Sequence, residues 1–162
     1  MGQCASVSII RLPADFERWD DVLTLILGAF ASMDGVIDPP SSAHQLTVER
    51  LREKAEHETG FAAFQDGRIV GCVFVLERAD DVYVGKLAVE PDRQGSGIGK
   101  QLMQAAETLA RTRGKTALEL QTRIELTANH AVFARMGFHE TRRTAHEGYS
   151  RPTSITMRKS LS

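Results

Sequence analysis

The sequence is poor in cysteine, has no long apolar run and carries no surplus of positive charge, and each shortage removes a class of function. Its two cysteines, Cys4 and Cys72, stand far apart without C-x-x-C spacing, which supports neither a disulfide framework nor a zinc site. A reducing, cytoplasmic setting fits that pattern. His44, His57, His130, His139 and His146 include no pair at i, i+4 spacing and none beside a cysteine cluster, so no metal is expected. Lys plus Arg number 20 against 21 Asp plus Glu, leaving no excess to neutralise a nucleic-acid backbone. The charge is unevenly spread, however. Asp15 to Glu58 holds ten acids against four bases, and Gly137 to Ser162 five bases against two acids, an asymmetry able to bias which substrates approach.

No apolar stretch approaches the roughly 20 residues that span a bilayer, and the N-terminus lacks the basic and apolar regions of a signal peptide. A soluble protein with no membrane partner is expected. Met1, Gly2 and Ser6 do match the M-G-x-x-x-S acylation pattern, with Cys4 available for a second lipid. A single acyl chain without a polybasic patch anchors only marginally. What remains is ordinary: 42% hydrophobic and 25% charged residues are globular proportions that exclude collagenous and disordered readings. A chain of 162 residues reads as one domain, 1–162, able to bury roughly 70% of its unfolded surface.

Hydrophobic periodicity sets the order of elements. Val7 to Leu12 alternates as a first strand closed by Pro13. Asp15 is placed to cap a helix carrying Phe16, Trp19, Val22, Leu23, Ile26 and Phe30 on one face, with Trp19 read as core. The turn-rich Asp38-Pro39-Pro40-Ser41-Ser42 is expected to be mobile, and a second helix covers about Leu46 to His57. Gly60 to Gln65 and Ile69 to Glu77 form a hairpin about Asp66-Gly67, followed by Val82 to Val89. Beyond Pro91 come a Gly-rich loop, a helix to about Arg113, a strand Thr116 to Gln121 and a helix Thr127 to Met136. Phe138 to Arg143 and Ser154 to Arg158 close the chain. The order β-α-α-β-β-β-α-β-α-β-β predicts an α+β fold, a mixed sheet with helices on its faces.

Chemistry concentrates in Gln94-Gly95-Ser96-Gly97-Ile98-Gly99-Lys100, between a strand and a helix. Alternating glycines let backbone approach a ligand, and the free N–H groups that open a helix attract anions. The Rossmann G-x-G-x-x-G fails at Lys100, and the P-loop fails at Gln94 and Gln101. A phosphate-bearing ligand of another kind, or a glycine-rich connection that binds nothing, remains.

Leu87-Ala88-Val89-x-Pro91-x-x-Gln94-x-x-Gly97-x-Gly99 resembles the signature of the GNAT superfamily of acetyl-CoA-dependent N-acetyltransferases, and Asn129 to Gly137-Phe138 is similar to its second motif. The resemblance covers nearly the whole chain. It implies about seven strands, splayed between the fourth and fifth, and four helices. It also implies that Leu87, Ala88 and Val89 line the pantetheine arm of acetyl-CoA as a pseudo-strand. By the same resemblance, amides from Gln94, Gly95, Ser96, Gly97, Ile98, Gly99 and Lys100 grip the pyrophosphate, Asn129 bonds the pantetheine beside Phe133, and the Val89 N–H polarises the thioester carbonyl. A homodimer is implied on the same ground.

An alkylamine acceptor is almost wholly protonated at neutral pH, so a base or a water chain must take a proton before attack. Tyr83, Glu77 and Glu119 are the candidates, Tyr83 by relay through water. Phe133 stands where many relatives carry the tyrosine that protonates the departing sulfur; Tyr149 or His146 could substitute, or be exposed loop residues. Three readings follow: an acetyltransferase of a small primary amine, a silent acyl-CoA-binding module, and a peptide or protein N-acetyltransferase. Met33 to Gln45 and Thr144 to Pro152 are expected to shape the acceptor pocket, where Asp34 and Asp38 suit either a cationic acceptor or a solvated loop.

Overall fold

Seven strands pair side by side in the order β1-β2-β3-β4-β5-β7-β6 in a computed structural model that describes residues 6–161. Met1, Gly2 and Cys4 lie outside the described residues, and with them the acylation pattern. The elements are β1 (Ser8–Arg11), α1 (Trp19–Phe30), α2 (Val48–His57), β2 (Thr59–Gln65), β3 (Arg68–Glu77), β4 (Asp81–Val89), α3 (Ile98–Thr112), β5 (Ala117–Arg123), α4 (Thr127–Arg135), β6 (His139–Thr144) and β7 (Ser154–Ser160). Every pairing is antiparallel except β4 with β5. The expected order and fold class hold.

Local chemistry accounts for most boundaries. Asp66 and Gly67 take φ values of 53° and 76°, the two left-handed residues that a twisted hairpin requires. Thr47 caps α2, its hydroxyl accepting the Arg50 N–H at 3.1 Å. Asp15 does not cap α1: that helix begins at Trp19, with Arg18 at the cap position and no side-chain cap bond. A turn from the Pro13 carbonyl to the Phe16 N–H intervenes at 3.1 Å. Phe16 then meets the Trp19 ring edge-on at 4.8 Å, so packing rather than capping sets the entry.

β3 is buried from Ile69 to Val75 because each sheet face has its own core. On one face α3 packs Leu102, Met103, Ala106 and Leu109 against Val73, Val75 and Leu118. On the other, α1 and α2 bring Trp19, Val22, Ile26 and Leu51 over Cys72 and Phe74. Trp19 is 4% exposed, as a core residue should be.

The sheet is continuous at only one end of its centre. β4 and β5 pair at Asp81–Ala117, Val82–Leu118 and Tyr83–Glu119, and past that rung they part. Below the fork, Arg78 and Arg158 bridge Asp81 and Glu119 at 2.7–3.1 Å. The hydrogen bond from Arg78, with Arg158 assisting against the cost of burial, holds the Asp81 carboxyl down at about 2.

Candidate active site

The parted strands open a cavity of about 560 Å³. Residues Tyr83 to Leu87 of β4 and Leu120 to Arg123 of β5 form its walls, Asn129 and Phe133 of α4 close one side, and the 31–46 segment roofs it. That segment is not left hanging. The Lys86 ammonium donates to Ser42 Oγ at 2.9 Å, and Arg123 donates to the carbonyls of Pro39 and Pro40 at 2.6 and 3.0 Å. Tyr149 Oη donates to Asp38 Oδ1 at 2.6 Å, Arg151 reaches Asp38 Oδ2 at 3.3 Å, and the Asp38 N–H donates to Glu125 Oε2 at 3.1 Å. Asp38 is therefore engaged by its own chain, and Asp34 pairs with His44 at 2.7 Å in the open.

At the mouth of α3 the glycine-rich loop does what its composition suggests. Gly95 and Gly97 take φ values of 86° and 91°, conformations that favour glycine. A Cβ at either would meet nothing within 4 Å, so the need is for backbone direction, with open space in front. Gly97 occupies the cap position with no side-chain cap, and the first helical bond is Gln101 N–H to its carbonyl at 3.0 Å. The N–H groups of Ile98, Gly99 and Lys100 thus lack a carbonyl one turn earlier. Unsatisfied donors at the positive end of a 15-residue helix, facing open space, fit a pyrophosphate.

The backbone of β4 turns toward the fork. Glu90 N–H donates to the Val70 carbonyl at 2.9 Å; bonded rungs alternate, so Val89 directs its N–H and C=O away from β3. Its carbonyl accepts Gln94 Nε2 at 3.2 Å. Ala88, opposite Cys72 and 2% exposed, has its backbone groups in the ladder instead, which separates it from its two neighbours as a ligand-facing position. Between Gly85 and Ala88 the register slips, so that Lys86 and Leu87 together oppose Val73, with Lys86 at φ 52°. This bulge was not anticipated. It re-aims the backbone at the place where the strands have separated.

Of the other expected residues, Tyr83, Asn129, Phe133 and His146 line the cavity, whereas Glu119, Glu77 and Tyr149 do not. Burial raises the Tyr83 phenol above its ordinary value, and the Glu119 charge adds to this; it is a neutral hydroxyl at neutral pH. Burial would also raise Glu119, but hydrogen bonds from Arg158 and Arg78 outweigh it and keep the carboxyl below its usual range. With two guanidinium partners and 6% exposure, Glu119 is a strut of the fork and no proton acceptor. Glu77 lies 3.9 Å from Arg113 at the far end of β3. Burial, then the Arg123 charge, lowers the His146 imidazole, whose Nδ1 is hydrogen-bonded to Thr153 Oγ1. Lys54, Lys86 and Arg123 also line the cavity; they lie on three separate elements, and no motif ties them together in the sequence.

Comparison with known proteins agrees with this geometry. A sequence model described as the acetyltransferase (GNAT) family matches residues 19–138. The chain is 33% identical over 153 residues to an aminoglycoside N(6')-acetyltransferase type 1 of Stenotrophomonas maltophilia, covering 88% of this chain and 93% of that protein. It is 29% identical over 130 residues to an IAA acetyltransferase of Azospirillum brasilense, covering 78% and 82%. In fold it is similar to the PaiA N-acetyltransferase of Thermoplasma acidophilum, solved with coenzyme A, at a TM-score of 0.78 and 15% identity over 96% and 99% of the two chains. The chain belongs to the GNAT acetyltransferase family, and is an acyltransferase whose cofactor is acetyl-CoA.

Proposed function

We propose that the protein transfers the acetyl group of acetyl-CoA directly to the primary amine of a small molecule held in the roofed cavity. The observation that carries this reading is the succession of three features along one stretch of chain: a cavity at the fork that Leu87 lines, the backbone of Val89 turned away from β3, and donor amides at the mouth of α3. The aminoglycoside and IAA relatives act on small molecules by name, and a roof tied down by Lys86 and Arg123 favours a pocket over an open peptide groove.

Acetyl-CoA supplies an activated acyl carbonyl and a thiol leaving group. The residues of this chain do the rest. Amides of Gln94 to Lys100 would hold the diphosphate, Asn129 would steady the pantetheine arm, and the Val89 N–H, with the bulged backbone beside it, would stabilise the negative charge that gathers on the carbonyl oxygen. A fixed donor in a dry cleft stabilises that charge without reorganising, and fixing both reactants removes much of the entropic barrier. Because burial keeps His146 neutral, it takes the ammonium proton, with the Tyr83 hydroxyl relaying through water. Phe133 offers no proton to sulfur; a thiol with pKa near ~8.5 leaves tolerably as thiolate.

The test is thiol release from acetyl-CoA across a panel of amines, with cofactor affinity measured in parallel by calorimetry. Turnover of at least one small amine supports the proposal. Tight cofactor binding with no release for any amine or N-terminal peptide would instead favour a silent acyl-CoA-binding module, and release with peptides alone a peptide acetyltransferase.

A further inference from the structure

We infer that the cavity holds the acceptor's anionic group, a carboxylate, between Lys86 and Arg123, so that the acceptor is an amino-acid-like molecule. This rests on the acetyl-transfer reading above and extends it to the substrate class.

The charge of the cavity wall is one-sided. Among the described residues that line it there is no aspartate or glutamate, while Lys54, Lys86, Arg123 and His146 all contribute. Lys54 is already compensated, its ammonium 2.9 Å from Glu58 Oε2. Lys86 and Arg123 hydrogen-bond no carboxylate: the atoms they bond are the neutral oxygens Ser42 Oγ and the Pro39 and Pro40 carbonyls, and the charges of Glu58 on Lys86 and of Glu125 and Asp38 on Arg123 act only from beyond hydrogen-bond reach. Cations drawn from water without a directly bonded counter-ion are costly until one arrives.

Donor capacity remains for such a guest. A guanidinium carries five N–H groups and an ammonium three, and the roof bonds use two of the first and one of the second. The remaining hydrogens match a carboxylate, whose two oxygens accept charge-assisted bonds from a fork and a point charge together. Burial of Lys86, with the charges of Lys54 and Arg123 set against that of Glu58, weakens its hold on its proton, and an incoming anion opposes that.

The acidic groups of the neighbourhood lie outside the cavity and hydrogen-bond neither cation. Asp38 is bound by Tyr149 and Arg151, and Glu125 receives the Asp38 N–H; neither lines the cavity. A polycation such as an aminoglycoside would face like charge with no carboxylate to receive it. The acidic excess of Asp15 to Glu58 noted in the sequence therefore does not describe the pocket's interior.

The test titrates the coenzyme A-loaded protein calorimetrically with glycine, β-alanine, 4-aminobutyrate and glutamate, with their carboxamides, and with spermidine and kanamycin. The same panel is assayed for thiol release with acetyl-CoA. At least one carboxylate should exceed its carboxamide by about tenfold in affinity. Lys86→Met, and separately Arg123→Gln, should erase that preference while coenzyme A affinity stays within about twofold, and Lys86→Arg should restore part of it. Melting with coenzyme A present verifies that each variant folds. Absence of any carboxylate preference, preference surviving both variants, or loss of coenzyme A affinity in Lys86→Met would overturn the inference. Carboxylate-selective binding without thiol release upholds the anion subsite and sinks acetyl transfer; release with carboxamides or polyamines alone does the reverse.

Discussion

Tyr83 stands opposite Glu119 on the last rung that joins β4 to β5. The residue on one side of that rung faces the cavity and the residue on the other is locked between Arg78 and Arg158. One rung thus separates the part of the sheet that holds the chain together from the part that opens to a ligand.

Tyr83→Phe removes only the hydroxyl proposed as the relay and is expected to lower kcat by about 10–100-fold with little change in cofactor KM. With His146 as the proposed base its neutral form is the active one, and burial holds its imidazole below the ordinary 6.5. The acid limb of kcat/KM should therefore fall below pH 6.5, and His146→Gln should flatten it. A limb unchanged in that variant assigns the proton transfer elsewhere.

Gly97→Asp should abolish cofactor binding. Because a Cβ there meets nothing within 4 Å, crowding is not the cause: a left-handed conformation costs a non-glycine residue about 1–2 kcal/mol, and a carboxylate confronts phosphate. Gly97→Asn separates the two effects, since asparagine tolerates that conformation. Calorimetry should find a loss of about 100-fold or more for Asp and less than about tenfold for Asn; equal losses would remove charge as the reason.

Phe133→Tyr supplies a hydroxyl on the cavity wall, where the ring already packs against Phe138 at 6.1 Å. Thiol release should rise by about 3–10-fold, most at low pH where thiolate is the poorer product. No rise at any pH means that departure of sulfur does not limit the rate.

The hairpin at Asp66-Gly67 and the tight loop at Gly95 and Gly97 were legible because each depends on glycine or a glycine-like conformation at a fixed offset. The fork was legible only through family resemblance. The bulge was not, since Lys86 adopts its positive φ without the glycine that advertises one. Nor were the cavity's cations: Lys54, Lys86 and Arg123 lie on a helix and two strands, and only the packing of α2 over the sheet unites them. Asp15 misled because capping residues and solvated loop acids look alike until the Phe16–Trp19 contact fixes the chain's entry into α1.

The ion-pair cluster contributes to acid stability. The Asp81 carboxyl, about 2 in the folded protein against 3.8 ordinarily, is depressed, so its contribution is present above pH 3.8 and is lost as pH falls toward 2. Its size is about 2 kcal/mol. Asp81→Asn should lower Tm by about 4–8 °C at pH 7 and remove that part of the acid dependence. An unchanged Tm would show that Arg78 and Arg158 are held by Glu119 alone.

A grip made of main-chain hydrogens has a consequence for mutagenesis. Ile98 and Lys100 would present the same N–H whatever side chain they bear, so truncating the exposed Lys100 side chain would leave the proposed grip in place, and truncating the buried Ile98 would report on the core instead. Only a residue that bends the chain differently, or a proline that deletes the hydrogen itself, can report on it.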